Sequence, residues 1–404
     1  MGGFAEALRA LMDERGISAN ALARQVPCDK ALISRYRSGR QQPSLRMAQT
    51  LDDVLGAGGQ LAALGRAAAV SGPDPGTDGL DDEIVALELG RRASASDVGT
   101  ATVERLEFVV DSLAVAYPGT PPAALLLRIR RYLDYVTMLA GVRATLEERR
   151  RLLTAGGWLS LLAATCAVDL GLAEAAAAYL GTAAQLARET RHAELAAWCL
   201  ETRAWQVLTE GDYRSAVTMA RGAQRLAPKD GSAYIQAAAQ EGRAWARIGD
   251  SRETYGALRR VEALVSALPV PDEPEHHYRY DPAKQEAYVA TTLAWAGDPA
   301  AEGYARQVLG RLESPSDGPS RPRRAASARL DLALTLSATG RLDEAAGIAL
   351  DAVTSRLLVP SNYWRAEEVI SAVAARAEPE ARELREAYRE ICRGLPAAAQ
   401  PELS

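Results

Sequence analysis

At 404 residues, with 48% hydrophobic side chains and a formal net charge of −5, the chain is long enough for two or more domains with buried cores. Charged residues or glycine interrupt every apolar run before about 18 residues, which argues against a membrane partner. The four scattered cysteines lack metal-ligand and redox spacing, so we expect a cytoplasmic protein with reduced thiols, no metal and no cofactor. Abundant alanine, the best helix former, predicts an all-α fold.

Charge is distributed unevenly along the chain. Residues 1–70, which we call the head, contain nine Lys or Arg and six Asp or Glu, so the head carries +3 and the remainder −8. A basic head on an acidic body favours nucleic-acid binding by the head. The excess is small, and by itself it only supports that interpretation.

The sequence of the head predicts five short helices. Apolar residues at helical spacing predict the first helix over residues 4–15 and a fifth over residues 59–70. Between them, Ser18, Asp29 and Ser44 are N-cap residues for three more helices. We expect four apolar residues of the fourth helix to face inward, namely Leu45, Ala48, Leu51 and Leu55.

The third helix is predicted to present a basic face to solvent. It starts after Asp29, buries Leu32, Ile33 and Tyr36, and ends at Gly39. A short helix with basic and small polar residues on one face fits the DNA major groove. The alternative is an ordinary helical hairpin with a solvated basic face. The predicted DNA-binding residues are Lys30, Ala31, Ser34, Arg35, Arg37, Ser38 and Arg40.

This stretch resembles the Cro/C1-type (xenobiotic-response-element) helix-turn-helix family. The matching residues are Leu22-Ala23, Ile33-Ser34-Arg35, Gly39-Arg40 and Pro43-Ser44. Pro27 stands in the turn, where the family more often carries glycine. The resemblance implies a homodimer that binds two half-sites of double-stranded DNA. By position, Lys30, Ala31, Ser34 and Arg35 would contact base edges, and Arg37, Ser38 and Arg40 would contact phosphates.

A linker and a helical region follow the head. Residues 71–80 are rich in Gly, Pro and Asp and predict a flexible linker. Residues 81–155 read as two helical segments, 81–116 and 121–153, without a repeat signature. They are interpreted as a spacer or a dimerisation region.

A repeat appears in residues 156–395. Turn glycines recur every 38 to 48 residues, and a small residue precedes each by seven positions; the glycines are Gly171, Gly211, Gly249, Gly297 and Gly340. The sharpest unit runs from Gly211-Asp212-Tyr213 through Ala216 and Ala223 to Pro228, and it resembles the tetratricopeptide repeat. The third and fourth units lose the two alanines. We therefore predict a tetratricopeptide-like α-solenoid with C-terminal capping helices, the alternative being a non-repetitive helical bundle.

In tetratricopeptide arrays the first helix of each repeat lines the concave face. The resemblance places Thr165, Glu201 and Thr291 there beside eight predicted ligand-binding residues, namely Trp158, Trp198, Trp205, Gln236, Arg243, Arg247, Lys284 and Trp295. Aromatic rings with cations between them suit a peptide or small anionic ligand. For each tryptophan, packing in the core is an equal alternative.

The loop at residues 275–281 groups His276, His277, Tyr278 and Arg279. Two adjacent histidines are a weak metal signal. We interpret the loop as a solvated segment or, less favoured, as a ligand-gripping loop that uses His276, Tyr278 and Arg279.

Together these patterns predict a non-enzymatic DNA-binding transcriptional regulator whose repeat domain senses a peptide or small ligand, mediates dimerisation, or both. The layout resembles the peptide-pheromone receptor regulators of Gram-positive bacteria. The alternative is a protein-interaction adaptor or an antitoxin-like module whose helix-turn-helix has no regulatory role. No phosphate loop is present, and His192 has no Ser or Cys partner by motif.

Overall fold

A computed structural model of the protein describes residues 3–26, 28–70, 97–266, 268–269, 272–273, 275–314, 321–375 and 380–393. Within these ranges every regular element is a helix, which confirms the all-α prediction. The chain divides into two compact units, Met1–Glu83 and Ile84–Ser404. The predicted linker, residues 71–80, lies outside the described residues, as do Pro27 and residues 81–96.

The smaller unit contains the five predicted helices of the head. They are α1 (Phe4–Glu14), α2 (Ala19–Ala23), α3 (Lys30–Ser38), α4 (Leu45–Leu55) and α5 (Gln60–Val70). The three predicted N-caps are confirmed: Ser18 accepts from the Ala21 N–H, Asp29 from the Leu32 N–H at 2.7 Å, and Ser44 from the Met47 N–H. Each cap satisfies a backbone donor that the first turn leaves free.

Apolar residues of all five helices meet in one core. Leu8, Leu22, Ile33, Leu51 and Leu55 are fully buried in it. The predicted inward position of Leu45 is wrong, because its side chain is 40% exposed. Leu45 is the first residue of α4, where a side chain lies outside the stripe that the later turns bury.

The start of α5 is held by a carboxylate from α4. Asp52 is 5% exposed, and its two oxygens accept from the backbone N–H groups of Gly59 at 2.7 Å and Ala62 at 3.0 Å. Burial alone would raise the pKa of Asp52, but these backbone donors, with Arg66 nearby, outweigh burial and lower the pKa. Asp52 therefore stabilises the head in its ionised form.

We expect Asp52→Ala to lower the free energy of unfolding of the head by about 0.5–2 kcal/mol near neutral pH, as for loss of a helix cap. The wild-type contribution is complete above the unfolded pKa of about 3.9 and is lost as pH falls through the lower folded pKa. The difference between the two proteins should therefore shrink in acid. Hydrogen exchange of α4 and α5 in urea measures it. Asp53→Ala, at the exposed neighbouring position, is the control, and an equal loss in both variants would contradict this role.

The larger unit begins, among the described residues, with three long helices. They are α6 (Thr100–Ala116), α7 (Pro122–Ala140) and α8 (Leu146–Asp169). Helices α6 and α7 both pack on α8. Helix α8 runs without a break past residue 153, where a helix end was predicted, and the predicted domain boundary at residue 155 falls inside it.

Helix α8 is also the one described helix long and apolar enough to match a membrane span. Within its most apolar 18-residue window, 83% is buried inside the unit. Its apolar surface is therefore covered by neighbouring helices, as in the core helix of a globular unit.

Five helical hairpins follow from α8 onward, each joined at one of the predicted turn glycines. Their remaining helices are α9 (Ala173–Glu189), α10 (Ala193–Thr209), α11 (Tyr213–Leu226), α12 (Ser232–Ile248), α13 (Ser251–Val265), α14 (Gln285–Trp295), α15 (Ala301–Glu313), α16 (Pro322–Ala338) and α17 (Leu342–Thr354). All five turn glycines have positive φ, between 69° and 87°, a conformation that favours glycine. Helices α13 and α15 form although their units lack the paired alanines.

The hairpins stack in sequence. The first helix of each packs on the first helix of the next, so α8, α10, α12, α14 and α16 form one inner layer, which α18 (Tyr363–Ala375) continues. The small residues seven positions before the turns are buried. At one of them, Gly242, a Cβ atom would lie 3.0 Å from Ala257 Cβ, so the small residue permits close helix approach. Helix α19 (Glu380–Cys392) packs on α17 and α18 at the C-terminal end.

Candidate functional sites

The first candidate site is the outer face of α3 in the head. Ile33 and Tyr36 point into the core, at 0% and 5% exposure, and thereby fix which face remains outside. All seven predicted DNA-binding residues are exposed: Lys30, Ala31, Ser34, Arg35, Arg37, Ser38 and Arg40. Gly39 closes the helix with φ of 74°, and Arg40, which follows it, is exposed.

The cations on this face are unpaired as far as the described residues show. Lys30, Arg35, Arg37 and Arg40 form no ion pair within the described part of the chain. Their charges are therefore available to an external anion. A helix of this length with free guanidinium groups can donate to guanine edges and to phosphate oxygens.

The comparison with protein families agrees with this geometry. A family model described as a helix-turn-helix domain matches residues 4–64. Residues 4–64 form a helix-turn-helix domain. This domain supports DNA as a partner of the protein. A search of curated proteins found no match.

The second candidate site is a cavity of about 300 Å³ on the inner layer of the larger unit. Six predicted ligand residues line it: Trp198, Trp205, Gln236, Arg243, Lys284 and Trp295. The three residues that the repeat register placed beside them, Thr165, Glu201 and Thr291, line it as well. The structure thus brings side chains from α8, α10, α12 and α14 to one concavity.

Three arginines in the cavity wall are neutralised within the protein. Each one pairs with a carboxylate, and these pairs are Arg323 with Asp169 at 3.0 Å, Arg324 with Glu275 at 3.3 Å, and Arg365 with Asp331 at 2.8 Å. The Arg323 guanidinium also donates to the carbonyls of Tyr117 and Thr120. These arginines fix the wall of the cavity.

Two cations in the wall have no carboxylate partner among the described residues, Arg243 and Lys284. Arg243 lies over the Tyr288 ring at 4.3 Å and donates one Nη1 hydrogen bond to Gln240 at 3.3 Å. Burial, with Arg324 nearby, lowers the pKa of Lys284 to about 8. Both cations are therefore largely charged at neutral pH and face the cavity.

One carboxyl group in the wall, that of Glu201, has no cation partner among the described residues. Glu201 is 5% exposed and accepts from Gln236 Nε2 at 3.2 Å. Burial raises the pKa of Glu201 to about 7, against the lowering effects of Gln236 and Arg243. At neutral pH Glu201 is therefore partly protonated, and the cavity as a whole is positive.

The loop at residues 275–281 is packed against the inner layer. Tyr278 is 4% exposed and contacts Trp158 and Trp198, with ring centroids 5.0 and 5.2 Å away. The His277 ring lies 4.3 Å from the Tyr117 ring. The interpretation of this segment as a solvated loop is therefore wrong. Its side chains supply apolar surface that the periodicity of the sequence does not predict.

His276 anchors the same loop to α6. Its Nδ1 accepts from the Tyr278 N–H, so Nε2 carries the proton and donates to Asp111 at 3.1 Å. Arg279 binds the other oxygen of Asp111. Burial, with Arg279 nearby, lowers the pKa of His276, and burial lowers that of His277 to about 3. Both rings are neutral near pH 7.

The loop separates the cavity from a second hollow of about 420 Å³. His277 lines the first concavity, whereas the predicted residues Trp158, His276, Tyr278 and Arg279 line the second. Arg247 lies in neither, because its guanidinium binds Glu368 and stacks on Trp364 at 4.9 Å. The predicted ligand residues therefore fall into two hollows and one structural ion pair.

Sequence reasoning missed several residues of the cavity wall. They are Tyr117, Asp169, Gln240, His277, Tyr288, Arg323, Arg324 and Arg365. A signal existed for three of them, because Asp169, Gln240 and Tyr288 each follow a predicted wall residue by four positions, the spacing of one helix face. The others come from the loop, from the end of α6 and from α16 and α18, whose positions depend on how the helices pack.

Among the described residues, no group of three or more His, Cys, Asp or Glu side chains is arranged to hold a metal ion.

Proposed function

We propose that the protein is a sequence-specific DNA-binding transcriptional regulator of the Cro/C1 type, with a non-enzymatic role. The observation that carries the proposal is the exposed face of α3, opposite the buried Ile33 and Tyr36, whose cations form no ion pair with any residue that the structure describes. We also propose that two chains act together, because helix-turn-helix domains usually bind paired half-sites. Lys30, Ala31, Ser34 and Arg35 would contact base edges, and Arg37, Ser38 and Arg40 phosphates.

We further propose that the larger unit is a tetratricopeptide-like array that senses a ligand in the 300 Å³ cavity. The support is the combination of tryptophan rings with the two unpaired cations, Arg243 and Lys284. The cavity volume is at the lower end of the range for small-molecule sites. The loop at residues 275–281 already occupies the adjoining surface. These two facts favour a small ligand over a peptide.

We expect Arg35→Ala and Arg40→Ala to weaken DNA binding in different ways. Arg35→Ala should cost about 1–3 kcal/mol on the preferred duplex and little on a scrambled one, because a base-edge contact is lost. Arg40→Ala should weaken both duplexes alike and reduce the salt dependence by about one counterion. The measurement is a gel shift at several salt concentrations, with a duplex enriched from a random pool by the wild-type protein and its scrambled form.

Arg188→Ala, an exposed position in the larger unit, is the control and should leave both affinities unchanged. Identical behaviour of Arg35→Ala and Arg40→Ala on the two duplexes would refute the division of roles. A wild-type protein that enriches no sequence and retains no duplex at low salt would refute the regulator itself.

A further inference from the structure

Some of the buried polar groups that lack partners among the described residues lie in the wall of the 300 Å³ cavity. Gln240 is 0% exposed, yet its Nε2 has no acceptor among the described residues. The buried Nε atoms of Arg243 and Arg365 likewise have none, and the ammonium group of Lys284 beside them forms no ion pair there. Buried donors are rarely left unsatisfied in native proteins. Three such donors around one cavity point to an acceptor that enters from outside.

The charge of the wall gives the sign of that acceptor. The other three arginines of the wall are already paired with carboxylates, as described above. Arg243 and Lys284 remain, and Glu201 is the one carboxyl of the wall that has no cation partner. An anion would therefore be held by two cations. The Nε edge of an arginine is also the edge that binds a carboxylate in bidentate fashion.

The apolar part of the wall is flat. The rings of Trp205 and Trp295 are nearly parallel, at 19°, with centroids 6.5 Å apart. Trp295 is held in this orientation by an Nε1 hydrogen bond to Asp331 at 3.1 Å. Tyr288 lies beneath the Arg243 guanidinium, which places a ring beside a cation. Aromatic surfaces of this kind pack best against another planar group.

We propose that the cavity binds a small aromatic carboxylic acid, whose carboxylate is held by Arg243, Lys284 and Gln240 and whose ring packs among Trp205, Trp295 and Tyr288. This inference rests on the proposed sensory role of the larger unit and names the chemical class of its ligand. The volume of about 300 Å³ accommodates a molecule of one or two rings.

The test uses the full-length protein without DNA and matched pairs of acids and amides. The pairs are benzoate with benzamide, phenylacetate with phenylacetamide, and indole-3-acetate with indole-3-acetamide, titrated by calorimetry near pH 6.5. We expect at least one acid to bind with Kd below about 1 mM and its neutral amide to bind about tenfold more weakly or worse. The inference is overturned if no acid binds below about 10 mM, or if acid and amide bind alike.

A lysine pair supplies the matched variants. Lys284→Met removes the charge but keeps the side-chain length, and we expect it to weaken the best acid about tenfold. Lys229→Met removes an exposed lysine that lies over Tyr234, outside the cavity, and should leave the affinity unchanged. The affinity of the amide should not change in either variant. Equal loss in both, or none in Lys284→Met, would overturn the assignment of Lys284.

The affinity should also depend on pH through Glu201. The groups that face Glu201 are Gln236 and Arg243 of α12, Tyr288 of α14 and Tyr278 of the loop. Ionisation of Glu201 above pH 7 would repel the bound carboxylate, so we expect affinity to fall about tenfold between pH 6 and pH 8. Glu201→Gln should remove most of this fall, leaving the part due to Lys284. A steep fall that persists in Glu201→Gln would overturn the placement of the carboxylate beside Glu201.

The two proposals fail in different experiments. Absence of acid binding, with duplex retention intact, overturns the ligand class alone. Loss of duplex retention in a protein that still prefers acids to amides overturns the DNA-binding role and leaves the cavity assignment in place.

Discussion

Asp331→Ala is expected to lower the free energy of unfolding of the larger unit by about 3–5 kcal/mol, as for removal of one partner of a buried ion pair. Asp331 is 4% exposed and accepts from Thr291 at 2.8 Å, Trp295 at 3.1 Å and Arg365 at 2.8 Å. Arg365 is itself 3% exposed. Without Asp331 its charge would remain buried and uncompensated.

Denaturation followed by tryptophan fluorescence measures this change. All six tryptophans lie between residues 158 and 364, so their emission reports the larger unit. The control is Asp351→Ala, an exposed aspartate on α17, which should change stability by less than about 0.5 kcal/mol. Equal effects of the two variants would contradict the structural role of Asp331.

The companion variant Arg365→Met separates the ion pair from the other hydrogen bonds. We expect the double variant Asp331→Ala with Arg365→Met to be more stable than the sum of the single losses, by about 1–3 kcal/mol, because neither charge is then buried alone. Additive losses would mean that the two side chains act independently.

Ile33→Ala is the second change with a large expected effect. Ile33 is 0% exposed and belongs to the head core, in which α3 packs on α1 and α2. Truncation of a buried isoleucine costs about 2–5 kcal/mol, which is a large part of the stability of a domain of about 60 residues. The same side chain orients α3, so Arg35 and Arg40 would lose their common placement.

We expect Ile33→Ala to lose hydrogen-exchange protection across α1–α3 and to lose retention of the preferred duplex. Ile33→Val, at a cost of about 0.5–1.5 kcal/mol, should retain both. Protection in α8–α17 should be unchanged in either variant, because these helices belong to the other compact unit. Full protection of the head in Ile33→Ala would show that Ile33 is not a core residue.

The head was predictable because its signals are local. Ser18, Asp29 and Ser44 cap helices through hydrogen bonds to residues three positions ahead. Contacts over so short a sequence distance can be predicted from the sequence. The turn glycines of the hairpins are local signals in the same sense, because glycine lacks a Cβ atom and adopts positive φ readily. Leu45 was misplaced because spacing alone does not show where a helix surface leaves the core.

The cavity was predictable only in part. The repeat register placed Trp198, Trp205 and Arg243 in its wall, because first helices of successive hairpins share one layer. The repeat register does not predict the position of the loop at residues 275–281, because this loop has no helical periodicity. Its position depends on contacts with Tyr117, Trp158 and Trp198. Arg247, in register with the others, is turned instead to Glu368 of a later helix.

By itself the amino-acid sequence therefore determined the helices, their caps and turns, and the exposed basic face of α3. Only the tertiary structure decided which cations remain unpaired in the cavity. Asp169 and Arg323 are 154 residues apart, and Asp331 binds groups from both α14 and α18. Whether a charge is neutralised depends on such distant neighbours, and they meet only when the hairpins stack.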